Sequence, residues 1–147
     1  QQVSSAASDV YKRQKLGFTP KVAILSYSNF GNPSGSNTKT INECLKILED
    51  KKVSFEFDGE MTAEVALDYN LIKENYPFCK LSGPANVLIM PDLYSANISF
   101  KLLQKMENLS VIGPIMIGGN NPFQIVQMGA SVSDIVNSAC ISTYNSL

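Results

Sequence analysis

The chain has 147 residues and a hydrophobic content of 44%, which predict one domain with a sizeable core. Its formal net charge of −1 gives no indication of binding to nucleic acid or to an anionic membrane. It contains no histidine, so the commonest metal ligand and any imidazole-based catalytic dyad are excluded. The three widely spaced cysteines form no C-x-x-C pair, and with no signal peptide or long apolar run in the sequence they predict a cytoplasmic protein.

The first 17 residues differ in character from the rest of the chain. Residues 1–14, QQVSSAASDVYKRQ, are mostly polar and show no periodicity. Such a segment offers little apolar surface to offset the entropy of ordering, so we expect an unstructured leader or non-native sequence at 1–17. The folded domain is predicted to occupy residues 18–147.

The first predicted elements are a strand, a loop and a helix. Residues 21–26 (KVAILS) form a short apolar run typical of a strand that is buried on both faces. The loop at 27–36 contains glycine and proline, and it either presents backbone N–H groups to an anion or simply joins the strand to the helix. Apolar residues recur at helical spacing over 37–51. Cys44 belongs to that stripe, so it is predicted to be a core residue rather than a nucleophile.

A second strand, an acidic segment and a second helix follow. Apolar and polar residues alternate over 53–57, which predicts a strand. Asp58-Gly59-Glu60 is expected to end it. Two carboxylates beside a glycine indicate either an acid/base pair or, more commonly, a solvated turn. The next helix is predicted over about 62–75.

Residues 85–101 carry the clearest transition from strand to helix. Residues 87–90 form an uncharged apolar run, and Pro91 ends the predicted strand because proline has no N–H for a sheet ladder. Asp92 is placed to cap the next helix through its carboxylate. Ligands bind beyond the carboxyl ends of the strands in open parallel sheets, so Pro91, Asp92 and Asn97 are expected at the rim of a site.

The last third of the chain predicts two more strands and a final helix. The strands are expected at 110–117 and 123–127, with a turn at 118–122 between them. Ser131 and Asp134 have the spacing of a capping box ahead of an apolar run. The alternation of strands and helices predicts an α/β fold with a mostly parallel sheet and helices on both faces, a three-layer αβα arrangement.

The order of these motifs resembles the phosphate acetyl/butyryltransferase family from about Val22 to Ile141. Each motif is weak alone, but together, in order and at the family's spacing, they make the chain closely similar to this family. The resemblance implies a phosphotransacetylase-like fold, related to that of isocitrate and isopropylmalate dehydrogenases, of which this chain is the C-terminal part. The similar segments are 25–28, 58–60, 91–93 with Asn97 and Lys101, 112–115, and 129–137.

The family moves acyl groups between phosphate and the thiol of coenzyme A. The resemblance implies that an Asp helps to deprotonate the thiol and that a Ser-Arg pair and a second Arg serve the intermediate and the phosphate. Those positions hold Asp134, Gln127-Met128 and Lys105 in this chain. Met128 offers phosphate neither charge nor a donor, so we expect no efficient acyl transfer. The expected ligand-binding residues are Ser26, Ser28, Asn97, Lys105 and Ser131, with no metal ligand.

One branch of the family has altered catalytic residues, as this chain does. Residues 25–31 resemble that branch more closely than they resemble the active transacetylases. The branch consists of the phosphotransacetylase-like C-terminal domains of bacterial NADP-dependent malic enzymes. The resemblance implies a regulatory domain that binds acetyl-coenzyme A (acetyl-CoA) as effector, aids homo-oligomerisation and is joined to catalytic domains in the same chain. Those upstream domains would hold NADP and a divalent metal, and this part would need no cofactor. The alternatives are an active phosphate acyltransferase and an oligomerisation module without a ligand.

Overall fold

The computed structural model describes residues 2–35, 37–117 and 121–146, without the side chains of residues 2–7, 37, 145 and 146. The chain divides into two compact units, residues 1–97 and 98–147. Its elements are α1 (Gln2–Lys15), β1 (Lys21–Leu25), α2 (Asn37–Asp50), β2 (Glu56–Met61), α3 (Ala63–Leu67), α4 (Tyr69–Asn75), β3 (Val87–Ile89), α5 (Leu93–Leu103) and α6 (Val132–Ser146).

A parallel sheet of three strands organises the first unit. Its order is β2-β1-β3, and β1 pairs in parallel with both neighbours. The register sets Ile24 beside Ile89 of β3 and Gly59 of β2. Parallel neighbours need crossover connections, which α2, α3 and α4 supply along the chain. The sheet confirms the α/β prediction and the strands expected near residues 21–25 and 87–90.

Helices cover both faces of this sheet. Successive side chains of β1 point to opposite faces because the period of a strand is two. Val22 and Ile24 lie in one core cluster, with Val10 of α1 and with Ile41, Cys44 and Leu48 of α2. Ala23 and Leu25 lie in another, with Val65 and Ala66 of α3 and Ile72 of α4. The predictions of three αβα layers and of Cys44 as a core residue are therefore confirmed.

The prediction of an unstructured leader at 1–17 is wrong for its described part. Residues 2–15 form α1, and Val10 is only 4% exposed, packed in the first core cluster. Basic residues in the last turn of α1 suit the negative end of the helix dipole. A segment whose composition is mostly polar is thus helical and contributes Val10 to the core. The alternative, that the segment is not native sequence, stays a prediction.

Strand β2 lies later in the chain than the alternating pattern predicts. It covers Glu56–Met61 instead of 53–57, so Asp58-Gly59-Glu60 lies inside a strand and is not a solvated turn. Asp58 and Glu60 are only 7% and 1% exposed. Asp58 accepts the N–H groups of Gly59 at 2.9 Å and Lys80 at 2.7 Å. Such bonds offset the desolvation of a buried carboxylate, which is why the strand can continue through it.

The helix predicted over 62–75 is divided into α3 and α4. Asp68 separates them with an extended backbone, φ −108° and ψ 100°. Its carboxylate accepts the N–H groups of Asn70 at 2.9 Å and Leu71 at 3.2 Å and so caps the start of α4. Apolar periodicity alone does not show such a break, because Asp68 can occupy a helix surface as well as a cap.

Neither strand predicted for the second unit is present among its described residues. The segments 110–117 and 123–127 have irregular backbone, and residues 118–120 of the predicted turn lie outside the description. The side-chain amide of Gln124 bonds both backbone groups of Met116, at 2.9 Å to its N–H and 3.3 Å to its carbonyl. A side chain therefore satisfies backbone groups that a neighbouring strand would otherwise have to satisfy.

Gly59 occupies a position of β2 that leaves no room for a side chain. Its φ is +155°, and a Cβ there would lie 2.7 Å from the carbonyl oxygen of Ile24. We expect Gly59→Ala to lower the free energy of unfolding by roughly 3 kcal/mol, because backbone strain and a clash with a central strand add.

Gly31→Ala is the matched control, measured by the same denaturant unfolding. Gly31 also has a positive φ, +89°, but a Cβ there meets nothing within 4 Å. Its substitution should cost only the strain, about 1 kcal/mol. Equal losses in the two variants would contradict the role assigned to the close approach of β2 to β1.

Candidate functional site

A buried polar network joins the loop after β1 to β2. Ser28 and Glu60 are 0% and 1% exposed, and the Ser28 hydroxyl donates a hydrogen bond to Oε1 of Glu60. The N–H of Gly31 donates to the same oxygen at 3.2 Å. Ser26 Oγ lies 3.3 Å from Ser28 Oγ. The Ser28 hydroxyl therefore anchors its own loop, and the ligand contacts expected of Ser26 and Ser28 stay predictions.

Backbone bonds hold the same loop against β2. The N–H of Ser26 donates to the Met61 carbonyl at 2.9 Å, and the N–H of Phe30 donates to the Glu60 carbonyl at 2.8 Å. Within the described chain, Oε2 of Glu60 is buried without a hydrogen-bond partner. Glu60 is thus not part of a solvated turn, and the alternative of an acid/base pair with Asp58 stays a prediction. Glu60 is a buried carboxylate that fixes the loop at the carboxyl end of β1.

A cavity in the second unit brings together five of the site residues expected from the sequence. Its volume is about 640 Å³, within the range of small-molecule sites. It is lined by the last turn of α5 and the residues after it, by the segments 109–113 and 125–130, and by the start of α6. The predicted site residues in its wall are Lys105, Gln127, Met128, Ser131 and Asp134.

Ser131 and Asp134 form the capping box that the sequence predicts for α6. Oδ2 of Asp134 accepts the Ser131 hydroxyl at 2.8 Å and the Ser131 N–H at 2.9 Å, while Ser131 Oγ accepts the N–H of Asp134 at 3.2 Å. The hydroxyl of Ser131, and then its N–H, hold the pKa of the Asp134 carboxyl below its ordinary value, because both bonds favour the charged form. A lowered pKa makes Asp134 a weaker base.

The positive charge in the cavity comes from two lysines. Lys101 Nζ donates to Oε1 of Gln127 at 2.8 Å and to Oε1 of Gln104 at 3.4 Å. Lys105 is exposed. The chain has a single arginine, Arg13, which lies in the first unit. The cavity therefore offers point charges to an anion and not the forked donors of a guanidinium group.

Other predicted site residues belong to the first unit. Pro91 and Asp92 line a separate cavity of about 680 Å³ beside the carboxyl end of β3. Asp92 accepts the N–H of Ser95 at 2.7 Å, which confirms it as the cap of α5 and holds its pKa below the ordinary value. Asn97 is exposed on α5. That Asn97 binds a ligand stays a prediction.

Two further properties concern the whole described part of the chain. It contains no group of three or more acidic, cysteine or histidine side chains arranged to hold a metal ion. None of its helices combines the length and the apolar character that crossing a membrane requires.

The first unit is an αβα sheet unit, and the second contains a cavity whose wall carries two lysines, so the chain is an α/β protein. The family described as "Phosphate acetyl/butaryl transferase" matches residues 2–143. The chain belongs to this family, as its motifs predict.

Individual relatives fall into two groups. The NADP-dependent malic enzyme of Rhizobium meliloti is 48% identical over 97% of this chain and 18% of its own length. The phosphate acetyltransferase of Treponema pallidum is 37% identical over 89% of this chain and 39% of its own. The EutD phosphotransacetylase structure from Staphylococcus aureus aligns with a TM-score of 0.86 and 28% identity, over 99% of this chain and 46% of that one. The chain thus spans less than half of each relative.

Sequence reasoning did not predict the burial of Glu60 and did not include Lys101 among the site residues. The local pattern places Glu60 in a turn, because its hydrogen-bond donors, Ser28 and Gly31, are distant in the sequence. Lys101 stands in the family signature but was not expected in the site. The presence of a second lysine only four residues before Lys105 could have indicated it.

The hydrogen bond from Ser28 to Glu60 can be tested by stability. Ser28→Ala should lower the free energy of unfolding by about 1–3 kcal/mol, because it removes a donor from a buried carboxylate. Ser26→Ala is the control, since that hydroxyl is only half-buried and should change stability by no more than about 0.5 kcal/mol. Both variants are measured by denaturant unfolding. If Ser28→Ala leaves the free energy of unfolding unchanged, the anchoring role is excluded.

Proposed function

We propose that this chain is the phosphotransacetylase-like regulatory domain of an NADP-dependent malic enzyme. It binds acetyl-CoA as an effector and does not transfer the acetyl group. Oxidative decarboxylation of malate to pyruvate, with NADP and a divalent metal, belongs to other domains of the same polypeptide. The observation that carries the proposal is a cavity that holds Asp134 together with Gln127 and Met128. The 48% identity to a malic enzyme over nearly the whole chain supports the branch.

Loss of acyl transfer follows from the donors that line the cavity. Met128 is fully exposed at 103%, and a thioether cannot donate to phosphate. A hydrogen bond to a charged group contributes about 1.5–3 kcal/mol, so its absence slows a reaction that needs it by roughly tenfold or more. Asp134, with its lowered pKa, is a poor proton acceptor for a thiol of ordinary pKa near ~8.5.

Binding places weaker demands on the same cavity. Lys101 and Lys105 give its wall two positive charges against the single negative charge of Asp134. Coenzyme A carries several phosphate charges, and its attraction to such a wall requires no bond making. The domain can therefore lose chemistry and keep an effector.

Assembly into homo-oligomers is the second part of the proposal. No residue of α5 is buried, and apolar side chains on α5 and α6 are widely exposed, including Tyr94 at 82%, Leu93 at 72% and Val132 at 78%. Apolar surface of this kind is typical of faces that another protein surface covers. It supports contact with other copies or with other domains of the polypeptide.

The first test is for turnover. The complete polypeptide, mixed with acetyl-CoA and phosphate, should release no free thiol above background, because the cavity lacks a forked donor for phosphate. The assay is a coupled measurement of thiol release, with the Staphylococcus aureus phosphotransacetylase as positive control. Clear turnover that depends on the protein would favour the alternative function, a phosphate acyltransferase.

The second test is for binding. Calorimetric titration of the complete polypeptide should show acetyl-CoA binding, and Lys105→Glu should weaken it about tenfold or more by reversing a charge in the cavity wall. Lys51→Glu, the same change at another exposed lysine, should bind like the parent. If the parent binds no acetyl-CoA, the effector role is lost and an oligomerisation module becomes the better account.

A further inference from the structure

We infer that Lys101, held in position by Gln127, is the main contact for the phosphate groups of the ligand in the second unit's cavity. The inference rests on the proposed function and deepens it, because the resemblance points to Lys105 and assigns Lys101 no role. The ligand chemistry is that of a diphosphate or a chain of phosphate esters.

The partners of Lys101 hold its ammonium group without neutralising it. Nζ donates to two amide oxygens, Oε1 of Gln127 at 2.8 Å and Oε1 of Gln104 at 3.4 Å. An ammonium group has three N–H donors, so one remains for a ligand. Lys80, by contrast, forms a salt bridge with Glu49 and has its charge balanced. Lys101 is therefore both positioned and uncompensated.

The rest of the wall favours an anion at the same place. Lys105 is four residues further along the chain and lines the same cavity. Asp134 is the one acidic residue among the described lining residues, and its Oδ2 is engaged by Ser131. The first turn of α6 also lines the cavity, and the positive end of a helix dipole attracts negative charge.

Gln127 determines how much charge Lys101 can offer. Its amide oxygen fixes the ammonium group and carries no net charge. A glutamate at this position has nearly the same length and shape, but it would pair with Lys101 and balance its charge. Gln127→Glu thus changes the electrostatics of the cavity and leaves its volume almost unaltered.

The experiment titrates the complete polypeptide with two probes, inorganic pyrophosphate and acetyl-CoA. Lys101→Gln and Gln127→Glu should each weaken pyrophosphate binding about tenfold or more, with a parallel loss for acetyl-CoA. Lys101→Arg should bind within about threefold of the parent because it keeps the charge. The control is Lys73→Gln on α4, an exposed lysine that lies 4.9 Å from the Tyr69 ring, much as Lys101 lies 5.6 Å from the Phe100 ring. It should bind like the parent.

The outcomes separate this inference from the proposed function. Unchanged pyrophosphate binding in either Lys101→Gln or Gln127→Glu overturns the inference, as does a parent that binds no pyrophosphate. If Lys101→Gln binds acetyl-CoA as tightly as the parent does, the inference is also overturned, but the effector role is left intact. Pyrophosphate binding that depends on Lys101, without any acetyl-CoA binding, supports the anion site and removes the effector role. Thermal melting of each variant confirms that a loss of affinity is not a loss of fold.

Discussion

Burial of β1 on both faces is the constraint on which the first unit depends. Four consecutive side chains of this strand, residues 22–25, are 5% exposed or less, so each face needs its own apolar cover. Burying one such aliphatic side chain stabilises the fold by about 1.5–3 kcal/mol. Hydrogen bonding to β2 and β3 satisfies the backbone on both edges. The helices on the two faces and the close approach of Gly59 to Ile24 are consequences of that central position.

The same constraint shapes the loop that follows β1. A neighbouring strand must pass close to β1, and β2 brings Glu60 into the interior with it. A buried carboxylate requires donors, which the loop supplies through Ser28 and Gly31. The loop is thereby tied to β2 at the carboxyl end of the sheet, where ligands of open α/β folds bind. The same bonds that satisfy Oε1 of Glu60 therefore hold the loop in place.

The sequence predicts elements whose signals are local and misses those that depend on distant partners. The strand at 21–25 and the helices at 37–50 and 132–146 follow from apolar runs, periodicity and a capping box. The true position of β2 depends on donors far along the chain, such as the N–H of Lys80. Nothing in the 123–127 pattern shows that a glutamine side chain will bond Met116 in place of a strand. Among the candidate site residues, the five in the cavity wall were predicted by resemblance, whereas the contact of Lys101 with Gln127 is seen only in the structure.

Asp134 shows why the presence of a family residue does not by itself indicate turnover. Its bonds with Ser131 cap α6, and capping of this kind stabilises a helix whatever happens in the cavity. The bonds that give it this structural role also lower its pKa and weaken it as a base. A chain can therefore keep Asp134 for its fold whatever residues stand at positions 127 and 128. The lysines differ from Asp134 in this respect, because an exposed cation such as Lys105 contributes little to stability.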